Sequence, residues 1–393
     1  PLWSRGLGDV YKRQVLDNGS SPQIMQSMHQ IGVTEDYVVL MDTVFKLGPE
    51  QLLTSPAPSL PDLDRMIRDL LDYRQSDQTV LYLVRRSDLV PRSEQDAQYL
   101  NDIPTVIAKR VVIPRGTAHF LVDYKNPEHC ITLHCVHNTG WDAAEWVRAY
   151  DQIPDSLFPG LVGMTTASTD INMMARYKID GKNGVLLSDK FAEDSDQGLS
   201  WMLALCTFCQ PDGVTPPDRI RELFWNGWGS HGDLLPMYIQ EVNEQAKNRC
   251  FSMEQAREVA SHGLPSTLLR LETDTMMIKD HYAFPAGMFG NSVQFIPRVD
   301  AVPGSADGYL MCVVNGGDDP ESSEFWILDA QDLTRGPLCR LGHPGVKIGL
   351  TIHSTWVPRI QPRTATYQIG VKEDYDEKLK RIGREEELKP LFE

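Results

Sequence analysis

Short runs of β-branched and aromatic residues, punctuated by turn residues, dominate the chain. Residues 34–45 read as one such strand. Residues 309–315 and 324–330 read as a hairpin across Gly316-Gly317-Asp318-Asp319-Pro320, and 293–299 and 351–357 as two further strands. Asn18-Gly19, just after Val15, is the dipeptide of a tight hairpin turn. Two segments follow the helical period instead. From residue 62 to 74, Leu63, Met66, Ile67, Leu70 and Leu71 share a face and Pro61 sits near the start, which predicts a helix packed on the strands by its apolar side. Ser252-Met253-Glu254-Gln255 has the form of a capping box and predicts a helix running to about residue 261. Repeated short strands with helical insertions predict an all-β sandwich, barrel or propeller.

Composition narrows this. Of 393 residues, 41% are hydrophobic, enough for a large core, and the length alone suggests two or three domains. The 54 acidic residues outnumber the 38 Lys and Arg, a net charge of −16 with no basic cluster, which argues against a nucleic-acid surface. No apolar run approaches the roughly 18 residues that span a bilayer. Seven cysteines without framework spacing fit a reducing, cytoplasmic compartment, and Cys206-Thr207-Phe208-Cys209 reads as a buried pair of small apolar side chains. The chain opens on Pro1, and residues 1–14 resemble a translated sequencing adaptor. They are expected to be a non-native leader before a truncated domain spanning 15–360, with 361–393 a charged, solvated tail.

The candidate chemistry lies in the ten histidines. H-E-x-x-H, G-x-S-x-G and Walker patterns are missing from the sequence, and the candidate taken up is metal ligation by histidines gathered from distant strands. Three segments stand out. One runs Met28-His29-Gln30-Ile31-Gly32-Val33-Thr34-Glu35-Asp36-Tyr37-Val38-Val39, and another His353-Ser354-Thr355-Trp356-Val357-Pro358. The third is Leu133-His134-Cys135-Val136-His137-Asn138, where strand alternation sends His134 and His137 to opposite faces, so at most one of them meets a shared metal.

These segments resemble motifs of the carotenoid cleavage oxygenase family, which includes lignostilbene-cleaving and retinoid-isomerising relatives. The His29 segment is similar to M-H-D-F-x-x-T-x-x-Y-x-V-F, and the His353 segment to H-G-T-W-V-P. Phe289-Gly290-Asn291-Ser292-Val293-Gln294-Phe295-Ile296-Pro297-Arg298 resembles Y-G-G-E-P-x-F-x-P-R, and Phe325-Trp326-Ile327-Leu328-Asp329-Ala330 an E-L-x-x-x-D-A strand. The resemblance implies a seven-bladed β-propeller, incomplete here at its N-terminus, with helical and loop cap insertions. It also implies a non-haem Fe(II) held on the propeller axis by four histidines. With O₂, such a site splits a C=C bond of a carotenoid, apocarotenoid or stilbene-like substrate into two carbonyl products.

By that resemblance the metal ligands are His29, His134 and His353, with His137 the alternative to His134 and the fourth histidine expected upstream of the present chain. A three-histidine chain is expected to hold iron more weakly and to be less active or inactive. Ser292 stands where many relatives carry a glutamate that orients a ligand. Two readings compete with cleavage: a non-cleaving isomerohydrolase on the same scaffold, and a propeller binding module without iron. The expected partners are a small apolar conjugated substrate and O₂, with peripheral membrane contact through an apolar patch as in relatives. Phe224, Trp225 and Trp228, in a Gly-rich stretch, read either as lining of a substrate tunnel or as core and cap packing.

Overall fold

The computed structural model describes residues 13–44, 57, 59–72, 75–89, 105–140, 146–151, 162–163, 169–192, 194, 198–210, 216–232, 235–244, 246–317, 323–360, 362 and 380. Residues 1–12 and, apart from Lys380, the charged stretch 372–389 lie outside them. The chain divides into two compact units, Pro1–Trp356 and Val357–Glu393.

Four sheets make up the first unit. The first contains β1 (Arg13–Val15), β2 (Ile31–Val33), β3 (Tyr37–Asp42), β4 (Gln78–Arg85) and β5 (Thr105–Pro114) in the order β1-β5-β4-β3-β2. The turn at Asn18-Gly19 forms, with Gly19 at φ 80°, but β1 does not enter a hairpin; it pairs in parallel with β5. The second sheet is β6 (Gly116–Val122), β7 (Cys130–Asn138), β8 (Asn172–Asp180) and β9 (Val185–Phe191). The third is β10 (Leu203–Phe208), β11 (Glu222–Gly227), β12 (Thr267–Glu272) and β13 (Met277–Ala283). The fourth is β14 (Met288–Pro297), β15 (Gly308–Gly316), β16 (Ser323–Asp329) and β17 (Pro337–Gly342). In these last three, each strand pairs antiparallel with the next, the meander of a propeller blade. β2 packs beside β6, β6 beside β10 and β10 beside β14, so the first strands stand side by side. The fold is an all-β propeller; the described residues carry four of the seven sheets that the family resemblance implies.

Alternation explains why the sheets stack. Leu133 and Cys135 on β7 meet Tyr37, Met41 and Leu83 of the first sheet, whereas Val136 faces the other way, onto Leu203, Trp225 and Leu269 of the third. Trp225 and Phe224 repeat this one sheet on: Phe224 joins Phe295, Leu310 and Trp326 of the fourth sheet. Phe224 and Trp225 therefore lie on a strand, not in a loop, and serve two cores rather than a tunnel. The first strands of the last three sheets also lose register against their neighbours. β6 slips between Thr117 and Phe120, β10 between Leu203 and Leu205, and β14 between Asn291 and Gln294. Such bulges re-aim side chains, here toward the strands' shared edge.

Three helices interrupt the sheets: α1 (Pro61–Leu71), α2 (Met237–Glu244) and α3 (Met253–His262). α3 carries the capping box predicted at Ser252 and Gln255. α1 forms where its period predicted, but inside out. Asp64 and Arg68 are buried, Arg68 donating to both oxygens of Asp151 at 3.1 Å and lying over the Tyr238 ring, while Leu60, Leu63, Met66 and Leu70 are exposed. The anchor is polar because residues 146–151 offer a carboxylate and backbone carbonyls, Trp146 and Tyr150 accepting from Arg68 and Arg65. Residues 351–357 form no strand. Thr351 donates to Asn291 Oδ1 from its backbone and its hydroxyl, and Ser354 Oγ donates to the Ser292 carbonyl, so side chains hold this strap on β14.

Candidate metal centre

Each of three histidines is delivered by a different device. His29 precedes β2, in a segment fixed by Asp42, whose carboxylate accepts the backbone N–H groups of Met25 and Gln26 at 2.9 Å. Gln30 Oε1 accepts from the Phe120 N–H at 3.1 Å and ties that segment to β6. Gly32 permits the close approach, since a Cβ there would stand 2.7 Å from the Phe120 ring. His119 lies inside the β6 bulge, where Thr117 Oγ1 bonds the carbonyls of Val136 and His119 and pins the distortion. His353 rides the strap fastened to the β14 bulge, where Ser292 takes φ 53°.

The result is compact. One ring nitrogen from each of His29, His119 and His353 lies within 4.8 Å of the others, and no carboxylate or thiolate joins them among the described residues. The Nε2 atoms of His29 and His119 are 3.2 Å apart with their rings edge-on, and the His119 and His353 rings meet at 5.6 Å. Two imidazole nitrogens each about 2.1 Å from one ion stand about 3.0 Å apart at a right angle and about 3.4 Å at a tetrahedral angle. The observed spacing falls between, so the donor set fits a metal ion. Partial burial, and then the neighbouring charge of His353, push the His29 pKa below its ordinary value and favour the neutral, ligating form.

The structure does not bring His134 or His137 to this group. His134 pairs with Leu121 in the β6–β7 register and is buried, its Nε2 3.0 Å from Asp123 Oδ1, which also accepts the Ile220 N–H. His137 is fully buried; Nδ1 meets the Gly116 carbonyl and Nε2 the Tyr177 hydroxyl at 2.7 Å, so both nitrogens are committed within the protein. Burial drives its pKa down to about 4. The third histidine of the cluster is His119, one strand earlier. Sequence reasoning passed over it because Ala118-His119-Phe120-Leu121 carries no motif, and the bulge that turns it inward breaks the alternation by which faces are read.

Beside His119 and His353 opens a cleft of about 120 Å³ walled by Phe120, Leu121, Leu205, Val293 and Ile352. Ser292 lines it with a buried hydroxyl that has no hydrogen-bond partner among the described residues. Cys206 lines it too, but burial raises its pKa to about 12, so it stays a neutral thiol.

Comparison with known proteins gives the family of the chain. An apocarotenoid oxygenase variant from Synechocystis aligns at 15% identity with a TM-score of 0.49, covering 84% of this chain and 53% of that one. A lignostilbene dioxygenase from Pseudomonas brassicacearum aligns at 13% identity and a TM-score of 0.45, covering 84% and 54%. The chain thus spans about half the length of the solved structures it matches. No curated protein matches it significantly in sequence. The family model described as retinal pigment epithelial membrane protein (RPE65) matches residues 12–358. That match covers most of the chain, which belongs to this family, that of the carotenoid cleavage oxygenases.

Proposed function

We propose that His29, His119 and His353 hold a non-haem Fe(II), and that the protein uses it with O₂ to cleave a C=C bond of a carotenoid, apocarotenoid or stilbene-like substrate into two carbonyl products. The observation that carries this reading is the convergence of the three ring nitrogens on one point. When bound, such iron supplies the open coordination positions at which O₂ chemistry takes place. The chain's own contribution is binding and aim. Phe120, Leu121, Leu205, Val293 and Ile352 offer an apolar, water-poor wall beside His119 and His353, suited to a planar conjugated segment. At about 120 Å³ the cleft takes the reacting double bond and its neighbours, not a whole polyene. Its histidines are best neutral, and no acid or base is required of the wall. The exposed apolar side of α1 is where we place contact with the membrane from which an apolar substrate is drawn.

The test is metal analysis of protein loaded with Fe(II), followed by product analysis under O₂ with a carotenoid and a stilbene panel and, separately, a retinyl ester. Paired carbonyl products from one alkene support cleavage; geometric isomerisation of the ester without cleavage supports the isomerohydrolase reading instead. Equal iron content in His29→Ala, His119→Ala, His353→Ala and the unaltered protein would remove the metal from the proposal.

A further inference from the structure

A second site lies between the second and third sheets, at the ends of the strands. A cleft of about 480 Å³ is walled there by Thr132 and His134 of β7 and Arg176 and Lys178 of β8, with Lys125, Arg219 and Asp274 among the groups across it. The β7–β8 register sets Thr132 opposite Lys178 and His134 opposite Arg176, so the four side chains share one sheet face as two adjacent cross-strand pairs. Further along that same face, Val136 and Met174 belong to the apolar core against the third sheet. The face thus changes from core to a plate of hydroxyl, ammonium, imidazole and guanidinium.

Three carboxylates line the cleft; Asp123 and Asp274 are committed, and the third, Asp218, lies near the Lys125 ammonium. Asp123 receives His134 Nε2 and the Ile220 N–H, and Asp274 pairs with Arg219 and, at 3.7 Å, with Arg176. Lys178 has no ion-pair partner among the described residues. His134 is 2% exposed, yet its Nδ1 has no hydrogen-bond partner among the described residues. A buried imidazole with one nitrogen fixed by a carboxylate and the other unused, next to an unpaired ammonium, is a poor way to fill a core and a good way to receive a ligand.

We propose that this cleft is a ligand site separate from the three histidines, and that it takes a small oxyanion, carboxylate or phosphate, contacted by Lys178, Arg176 and Thr132 over His134. The two sources share the chemistry and are told apart by titrating the full chain with inorganic phosphate and, separately, succinate by isothermal calorimetry. Saturable binding of either at millimolar concentration is expected; binding of phosphate alone, or of succinate alone, identifies the class. Lys178→Ala and Thr132→Val alter partly or fully exposed side chains and should leave the fold intact, each weakening binding, Lys178→Ala by roughly tenfold. His29→Ala should bind as the unaltered chain does. The proposal falls if neither anion binds saturably, if Lys178→Ala binds as tightly as the unaltered chain, or if His29→Ala abolishes binding, which would place the anion at the histidine cluster.

Discussion

His29 and His119, 90 residues apart in sequence, bring their Nε2 atoms to 3.2 Å across the β2–β6 edge. That pair makes His119, not His134, the ligand to test. His119→Ala is expected to reduce Fe(II) affinity by more than the roughly 10–100-fold typical of losing a ligand's supporting partner. His134→Ala should leave iron binding unchanged but remove one of the two partners of buried Asp123, at a cost of about 1–3 kcal/mol. Iron titration and urea unfolding of both variants separate the two roles; lost iron binding with intact stability in His134→Ala would reverse the assignment.

Gly32 sets how closely β2 approaches β6. An alanine Cβ would stand 2.7 Å from Phe120 Cε2 and 3.2 Å from Val122 Cγ2, both on β6. Gly32→Ala is therefore expected to cost about 1–3 kcal/mol and to move His29 away from His119. Weaker metal binding alongside lower stability is the expected result. A variant of unchanged stability and affinity would mean that the strands do not need this contact.

The parts of the site legible in sequence were those whose neighbours carry a pattern. His29 and His353 sit in segments recognisable over ten or so residues. His119 was not legible, because a bulge places it, and a bulge is set by pairing with β7 rather than by the residues of β6. His134 matches the family segment through the strand before it, but its partner, Asp123, lies across a hairpin. The strap at 351–357 has strand-like composition, yet its hydrogen bonds run to the Asn291 side chain and the Ser292 carbonyl, which no local propensity encodes. For α1 the period gave the stripe but not its direction. That direction depends on a salt bridge to Asp151, more than 80 residues on.

His137 predicts a pH dependence. Burial lowers its pKa to about 4 from an ordinary 6.5, so between these values the unfolded chain takes up a proton that the folded one refuses. Its contribution is fully present above about pH 6.5 and is lost as pH falls toward 4, about 3 kcal/mol in all. Denaturant unfolding from pH 7 to 4 should show this loss, and His137→Gln, which cannot titrate, should show a flatter profile. Identical slopes for the two proteins would assign the acid sensitivity to other groups.

The exposed side of α1 predicts membrane contact of a particular kind. Leu60, Leu63, Met66 and Leu70 are 58%, 38%, 59% and 80% exposed, while Asp62, Asp69 and Asp72 border them without an excess of lysine or arginine. Binding should therefore come from apolar insertion rather than from charge, and in a chain of net charge −16 it should be stronger on neutral phosphatidylcholine vesicles than on anionic ones. Because Met66 and Leu70 face outward, Met66→Glu and Leu70→Glu should change stability by no more than about 0.5 kcal/mol. Removing two inserted side chains should nevertheless weaken vesicle binding by at least about tenfold. Co-sedimentation of the double variant and the unaltered chain with both vesicle types measures this. Undiminished binding by the double variant, or a preference for anionic vesicles, would place membrane contact elsewhere on the protein.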